Sequence, residues 1–165
     1  MIRTSAALAF GLIALLGSGC DGGVAQDEFE LDAAQTPSGI FRTLDGTTAL
    51  NGDDDPDDWR IAPIYATSAF VSARAFPNPA LLTDQVVILI TSISFDAGFG
   101  ELRAVGFTET GRRVVLDVVQ GANGEGTFTI AFPAALLVDA RPGIRRIFVF
   151  DARSRLVTYG DLLVQ

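Results

Sequence analysis

Thr127-Phe128-Thr129-Ile130-Ala131-Phe132 decides the fold class. Its apolar residues fall on every second position, the side-chain period of a strand with one face in a core and the other in water. Phe128, Ile130 and Phe132 are therefore expected to point inward, and Thr127, Thr129 and Ala131 outward. Arg113-Val114-Val115-Leu116-Asp117-Val118 repeats the pattern, with Val114, Leu116 and Val118 as its inward set. Val86-Val87-Ile88-Leu89-Ile90 is apolar on both faces, as a central strand would be.

Outward from these runs, segments rich in β-branched and aromatic residues recur from Trp59 to the C-terminus. They predict strands at 60–65, 70–76, 86–95, 101–107, 112–119, 126–132, 144–150 and 156–164. Thr110-Gly111, Asn123-Gly124 and Pro142-Gly143 fall between runs and carry turn chemistry. Only residues 134–137 read as a helical turn, which leaves a helical bundle or a βαβ sheet nothing to build with. The expected fold is all-β: an immunoglobulin- or fibronectin-like β-sandwich of about 7–8 strands over residues 60–165. Phe95, Phe99, Phe107, Phe128, Phe132, Phe148 and Phe150 are expected to fill its core.

The chain starts differently. Arg3 precedes an apolar run at 6–16 that ends in Gly17-Ser18-Gly19, the layout of a secretory signal. The run has eleven residues, too few for a span that needs about 20. Leu16-Gly17-Ser18-Gly19-Cys20 resembles the lipobox of bacterial lipoproteins, with Gly17 where leucine is commonest. The resemblance implies a signal peptide at 1–19, cleavage between Gly19 and Cys20, and acyl chains on Cys20. The chain would then sit in the bacterial cell envelope, lipid-anchored to a membrane and facing periplasm or cell surface. Two or three chains hold firmly, since each buried methylene contributes about 0.8 kcal/mol. Residues 20–59 are acidic and lack a sustained period, so they are expected to form a flexible, largely disordered tether.

With 165 residues the chain has room for one ordinary domain. It contains no histidine, and all twelve basic residues are arginine. Ser-His and Cys-His catalysis, lysine Schiff bases and phosphate-loop lysines are thereby excluded, and no enzymatic activity is expected. Cys20 is the only cysteine, which excludes an internal disulfide and leaves no ordinary zinc donor set. Loss of residues 1–19 removes Arg3 alone, leaving eleven arginines against twenty carboxylates and a formal charge of −9. Such a surface repels phosphate backbones, so nucleic acid is not an expected partner.

Asp53, Asp55 and Asp57 alternate within Asn51-Gly52-Asp53-Asp54-Asp55-Pro56-Asp57-Asp58-Trp59, and hard oxygen donors at that spacing suit calcium. The run is not an EF-hand loop, because Asp58 and Ile64 stand where glycine and glutamate are required. The other reading is a solvated linker ending in Trp59 as the first core anchor. Arg112-Arg113, Arg145-Arg146, Arg153 and Arg155 are candidates for an anionic partner or for surface ion pairs.

Phe76-Pro77-Asn78-Pro79-Ala80 and Glu109-Thr110-Gly111-Arg112-Arg113-Val114 carry a second resemblance, over residues 76–165. They are similar to the "YPNP" opening and the "D-x-x-G-R-x-V" hairpin of immunoglobulin-like C-terminal sorting modules and of flagellar hook-capping modules. The resemblance implies the sandwich. It does not imply sorting, because Gly160-Asp161-Leu162-Leu163-Val164-Gln165 is not the basic ending such tags have. The expectation is a lipid-anchored, non-catalytic structural or protein-interaction module that takes an envelope partner on an exposed sheet edge. A calcium-dependent adhesion or carbohydrate-binding module and a secretion-machinery accessory are the alternatives.

Overall fold

The computed structural model describes residues 21–50, 55, 58–95 and 98–165. Seven of the eight expected strands form: β1 (Ala69–Phe76), β2 (Gln85–Ser92), β3 (Gly100–Phe107), β4 (Arg113–Ala122), β5 (Gly126–Pro133), β6 (Gly143–Asp151) and β7 (Leu156–Val164). They pair antiparallel into a three-stranded sheet, β1-β2-β5, and a four-stranded sheet, β4-β3-β6-β7. This is the all-β sandwich of two antiparallel sheets that the alternation predicts. Val86, Ile88 and Ile90 from β2 and Ile130 and Phe132 from β5 share one buried cluster with Leu102, Ala104, Ile147 and Val149 of the other sheet. Each large aliphatic side chain so buried contributes about 1.5–3 kcal/mol. The turn at Ala134–Leu137 forms as a 3-10 helix.

The expected strand at 60–65 does not form. Ile61 makes a single bridge to Thr158, and a 3-10 helix follows at Pro63–Tyr65, because proline has no amide to give a ladder. In β4, Ala104 and Val105 of β3 face Asp117 and Val115, so Leu116 is an extra residue on its strand. This bulge flips the alternation beyond it. Val118, expected inside, is 37% exposed, and Val119 packs on the core instead.

The disordered-tether expectation for residues 20–59 is corrected over the residues described. Helix α1 (Asp21–Ala33) lies on the outer face of the four-stranded sheet. Phe29 and Ala33, one turn apart, are its buried residues, and the Phe29 ring meets Tyr159 at 5.1 Å. Ile40, Phe41, Thr43 and Asp58 are also buried. Trp59 is the core anchor the sequence suggested: its indole occupies the place a Cβ on Gly160 would need. The Trp59 amide bonds Tyr159 O at 2.8 Å and that of Ala62 bonds Val157 O at 2.8 Å, so segment 59–62 closes part of the β7 edge.

Candidate functional site

Asp58 belongs to the interior and not to a solvated acidic run. One carboxylate oxygen accepts the Phe41 amide at 3.0 Å and the other the Asp161 amide at 2.8 Å. Burial, with the nearby carboxylates of Asp161 and Asp55, pushes its pKa up to about 8 despite those amides. Asp161 is held by both Nε and Nη2 of Arg146 at 2.8 Å. The remaining nitrogen of Arg146 donates to the carbonyls of Asp32, Ala33 and Gln35 at the end of α1. That nitrogen serves as the helix cap that α1's own sequence lacks. Of the proposed calcium ligands, Asp53 and Asp57 lie outside the described residues, and Asp55 packs against Gly39. Among the described residues, no group of three or more acidic, histidine or cysteine side chains is arranged to hold a metal. Gly19 and Cys20 also lie outside the described residues, directly before α1.

Four of the six candidate arginines, Arg112, Arg145, Arg146 and Arg155, make ion pairs within the chain. Arg112 bonds Asp139, Arg145 bonds Glu109 at 3.2 Å, and Arg155 bonds Asp151 at 2.7 Å. Glu109 also accepts the amides of Asp139, Ala140 and Arg141. Burial raises its carboxyl pKa, but those amides outweigh it and bring the value down to about 2. These contacts fasten the β3–β4 turn to the segment before β6.

Pro77-Asn78-Pro79 has an equally structural use, and both of its X-Pro peptide bonds are cis. Asn78 is fully buried; its amide nitrogen donates to Asp161 O at 2.9 Å and its oxygen accepts from Leu163 N at 3.1 Å. Ala80 continues along the edge by bonding Leu163 O and accepting from Gln165 N, each at 2.8 Å. The β7 edge is therefore not open to a partner strand. The β5 edge gives its Ala131 amide to Asp117 of β4 at 2.8 Å, and β1 gives its Arg74 amide to Gly46 at 2.8 Å. Strand addition is thus closed by the chain itself along β7 and narrowed along β5 and β1, while β4, the other edge of the four-stranded sheet, is the edge these contacts do not cover.

What the fold leaves open is a face. Val115, Val105, Phe148 and Tyr159 are paired across β4, β3, β6 and β7, so they share the outer side of the sheet. α1 covers Tyr159, Val105 is buried as well, Phe148 is half-buried, and Val115 is 47% exposed. Phe107 and Phe150 flank Phe148 on the same side, with ring centroids 6.1 and 6.2 Å away. Phe107, Ile144 and Phe148 line a groove of about 410 Å³ whose wall is the end of α1 and the residues after it. Phe148 and Phe150 line a second, of about 260 Å³, against Glu30, Ala33 and Ala34. The expectation that all seven phenylalanines fill the core is thus corrected. Phe99 and Phe132 are buried, Phe128, Phe148 and Phe150 are half-buried and pack on the buried cluster, and only Phe95 and Phe107 are exposed. The signal for this face was present in Ile147-Phe148-Val149-Phe150, which is apolar on both strand faces.

Comparison with known proteins found no matching family model, no similar curated protein and no similar solved structure. Among the described residues no helix is long and apolar enough to cross a membrane.

Proposed function

We propose that this chain is a lipid-anchored protein of the bacterial cell envelope, held through Cys20. Its sandwich would be a non-catalytic interaction module that takes an apolar segment of another envelope protein on the outer face of the four-stranded sheet. The observation that carries the reading is the half-covered row from Val115 to Tyr159. On the β7 side the chain lays its own helix over the row, with Phe29 on Tyr159. On the β3–β4 side Val115 and Phe107 meet solvent, and an exposed apolar patch bordered by polar groups marks an interaction site. The non-catalytic part rests on the absence of histidine and lysine, and on the engagement of Asp58 and Asp161 by amides and Arg146.

A photo-crosslinking residue placed at 107 in living cells tests the docking face, with one at the exposed Leu82 as its control. A discrete adduct with an envelope protein from position 107 alone is expected. Identical adduct patterns from both positions would overturn the proposal. The anchor is tested separately, by the mass of the N-terminal peptide of the mature protein: a diacylglyceryl thioether on Cys20 is expected, and an unmodified first residue would sink it.

A further inference from the structure

The contacts of α1 fix where Asp21, the residue that follows Cys20 in the sequence, stands. Its last turn reaches Arg146, and Phe29 lies on Tyr159. From Phe29 back to Asp21 the helix rises about 12 Å. From Tyr159 back to Leu156 the strand spans about 10 Å. α1 packs along β7 and against Pro63–Tyr65, so its first turn stands level with the turn between β6 and β7. Cys20 is the residue before Asp21 in the sequence. Acyl chains on Cys20 would therefore join the chain at the residue preceding α1, whose first turn lies at this end of the sandwich.

The same end gathers exposed apolar side chains. It is tied together by the amides of Ile93 on Ser68 O at 2.8 Å, Ser68 on Tyr65 O at 2.8 Å and Ala152 on Phe99 O at 3.0 Å. Phe95 is 79% and Ile93 55% exposed there, with Val24, Ile64 and Phe70 exposed as well. Resting on the acylation of Cys20 argued above, we infer that this end lies on the lipid bilayer. Phe95 and Ile93 enter the headgroup boundary, and the end carrying Phe107 and Ile144 points away from the lipid. Exposed Asp27 and Glu28 on α1 and the acidic net charge disfavour an anionic surface, so the contact is apolar and does not need anionic lipid.

The experiment couples the mature chain through Cys20, its only cysteine, to a maleimide phospholipid in phosphatidylcholine vesicles. Phe95→Trp and Leu82→Trp place a reporter at opposite ends, and buried Trp59 is a common background. Phospholipids brominated along the acyl chain should quench most of the emission at 95 and shift it to the blue, leaving that at 82 unchanged. Emission at 95 equal to that of the uncoupled chain in buffer, or equal quenching at both positions, would overturn the inference. Coupling by maleimide separates this from the anchor proposal. An unacylated Cys20 in cells removes the anchor, whereas an unquenched reporter at position 95 on coupled vesicles removes the apposition alone.

Discussion

The guanidinium of Arg146 divides its donors between β7 and α1: two nitrogens hold Asp161 and the third holds the helix end, while the group stacks 5.1 Å from the Tyr159 ring. Replacing it with methionine keeps the stem and leaves the Asp161 carboxylate, 1% exposed, without its cation. Breaking a buried pair from one side costs about 3–5 kcal/mol. Arg146→Met is therefore expected to lower the urea midpoint by that equivalent, and hydrogen exchange should show α1 losing protection before the strands do. Asn78 offers the second test at this scale. Asn78→Ala removes the partners of Asp161 O, which is buried, and of Leu163 N, which is part-buried, for on the order of 2 kcal/mol. An unchanged midpoint would show that water replaces the amide, and the edge-closing role would fall.

Among the elements, what was legible is what local alternation specifies. β5 was read correctly residue by residue, because Phe128, Ile130 and Phe132 face one way whatever strand pairs with them. The β4 bulge was not legible, since an extra residue is defined only by its partner strand. Helix α1 was hidden for a related reason. Its own pattern is weak, and its supports, Tyr159 and Arg146, lie more than a hundred residues downstream. The candidate face is not legible in the sequence: Phe148 and Phe150 read as core residues, and nothing in the sequence says which faces of β6 and β7 a helix covers. The bulge makes a direct prediction. Val119→Asn should cost about 1–2 kcal/mol, by loss of apolar packing and burial of an amide. Val118→Asn should stay within about 0.5 kcal/mol, as exposed positions do. Equal losses, measured by chemical denaturation, would restore the uninterrupted alternation.

For the molecule as a whole, the buried and exposed carboxylates pull stability in opposite directions with pH. Glu109 is brought from 4.5 to about 2, and Asp45 and Asp139 are also lowered, Asp45 by backbone amides and Asp139 by Arg112 and threonine hydroxyls. Their ionised forms belong to the folded state, so the stability they confer is present above the ordinary carboxylate range and is lost as acid titrates them. Asp58 has the opposite sign. Its carboxyl titrates at 3.8 when unfolded and about 8 when folded, so between those values unfolding releases a proton and stability falls as pH rises. Its surroundings are Asp161, Asp55 and the Arg146 guanidinium, with the Phe41 and Asp161 amides on its oxygens. Thermal unfolding should therefore be most resistant near pH 5, with the midpoint dropping on the order of 5 °C by pH 9. Asp58→Asn should start less stable, since its amide turns a donor toward a backbone N–H, yet lose the alkaline slope while keeping the acid one. Repulsion within an acidic chain would also weaken the fold at high pH, but salt screens that effect and spares a buried group. An alkaline slope that vanishes in concentrated salt, or a carbon-13 resonance of the Asp58 carboxyl that titrates below pH 5, would remove the buried acid from this account.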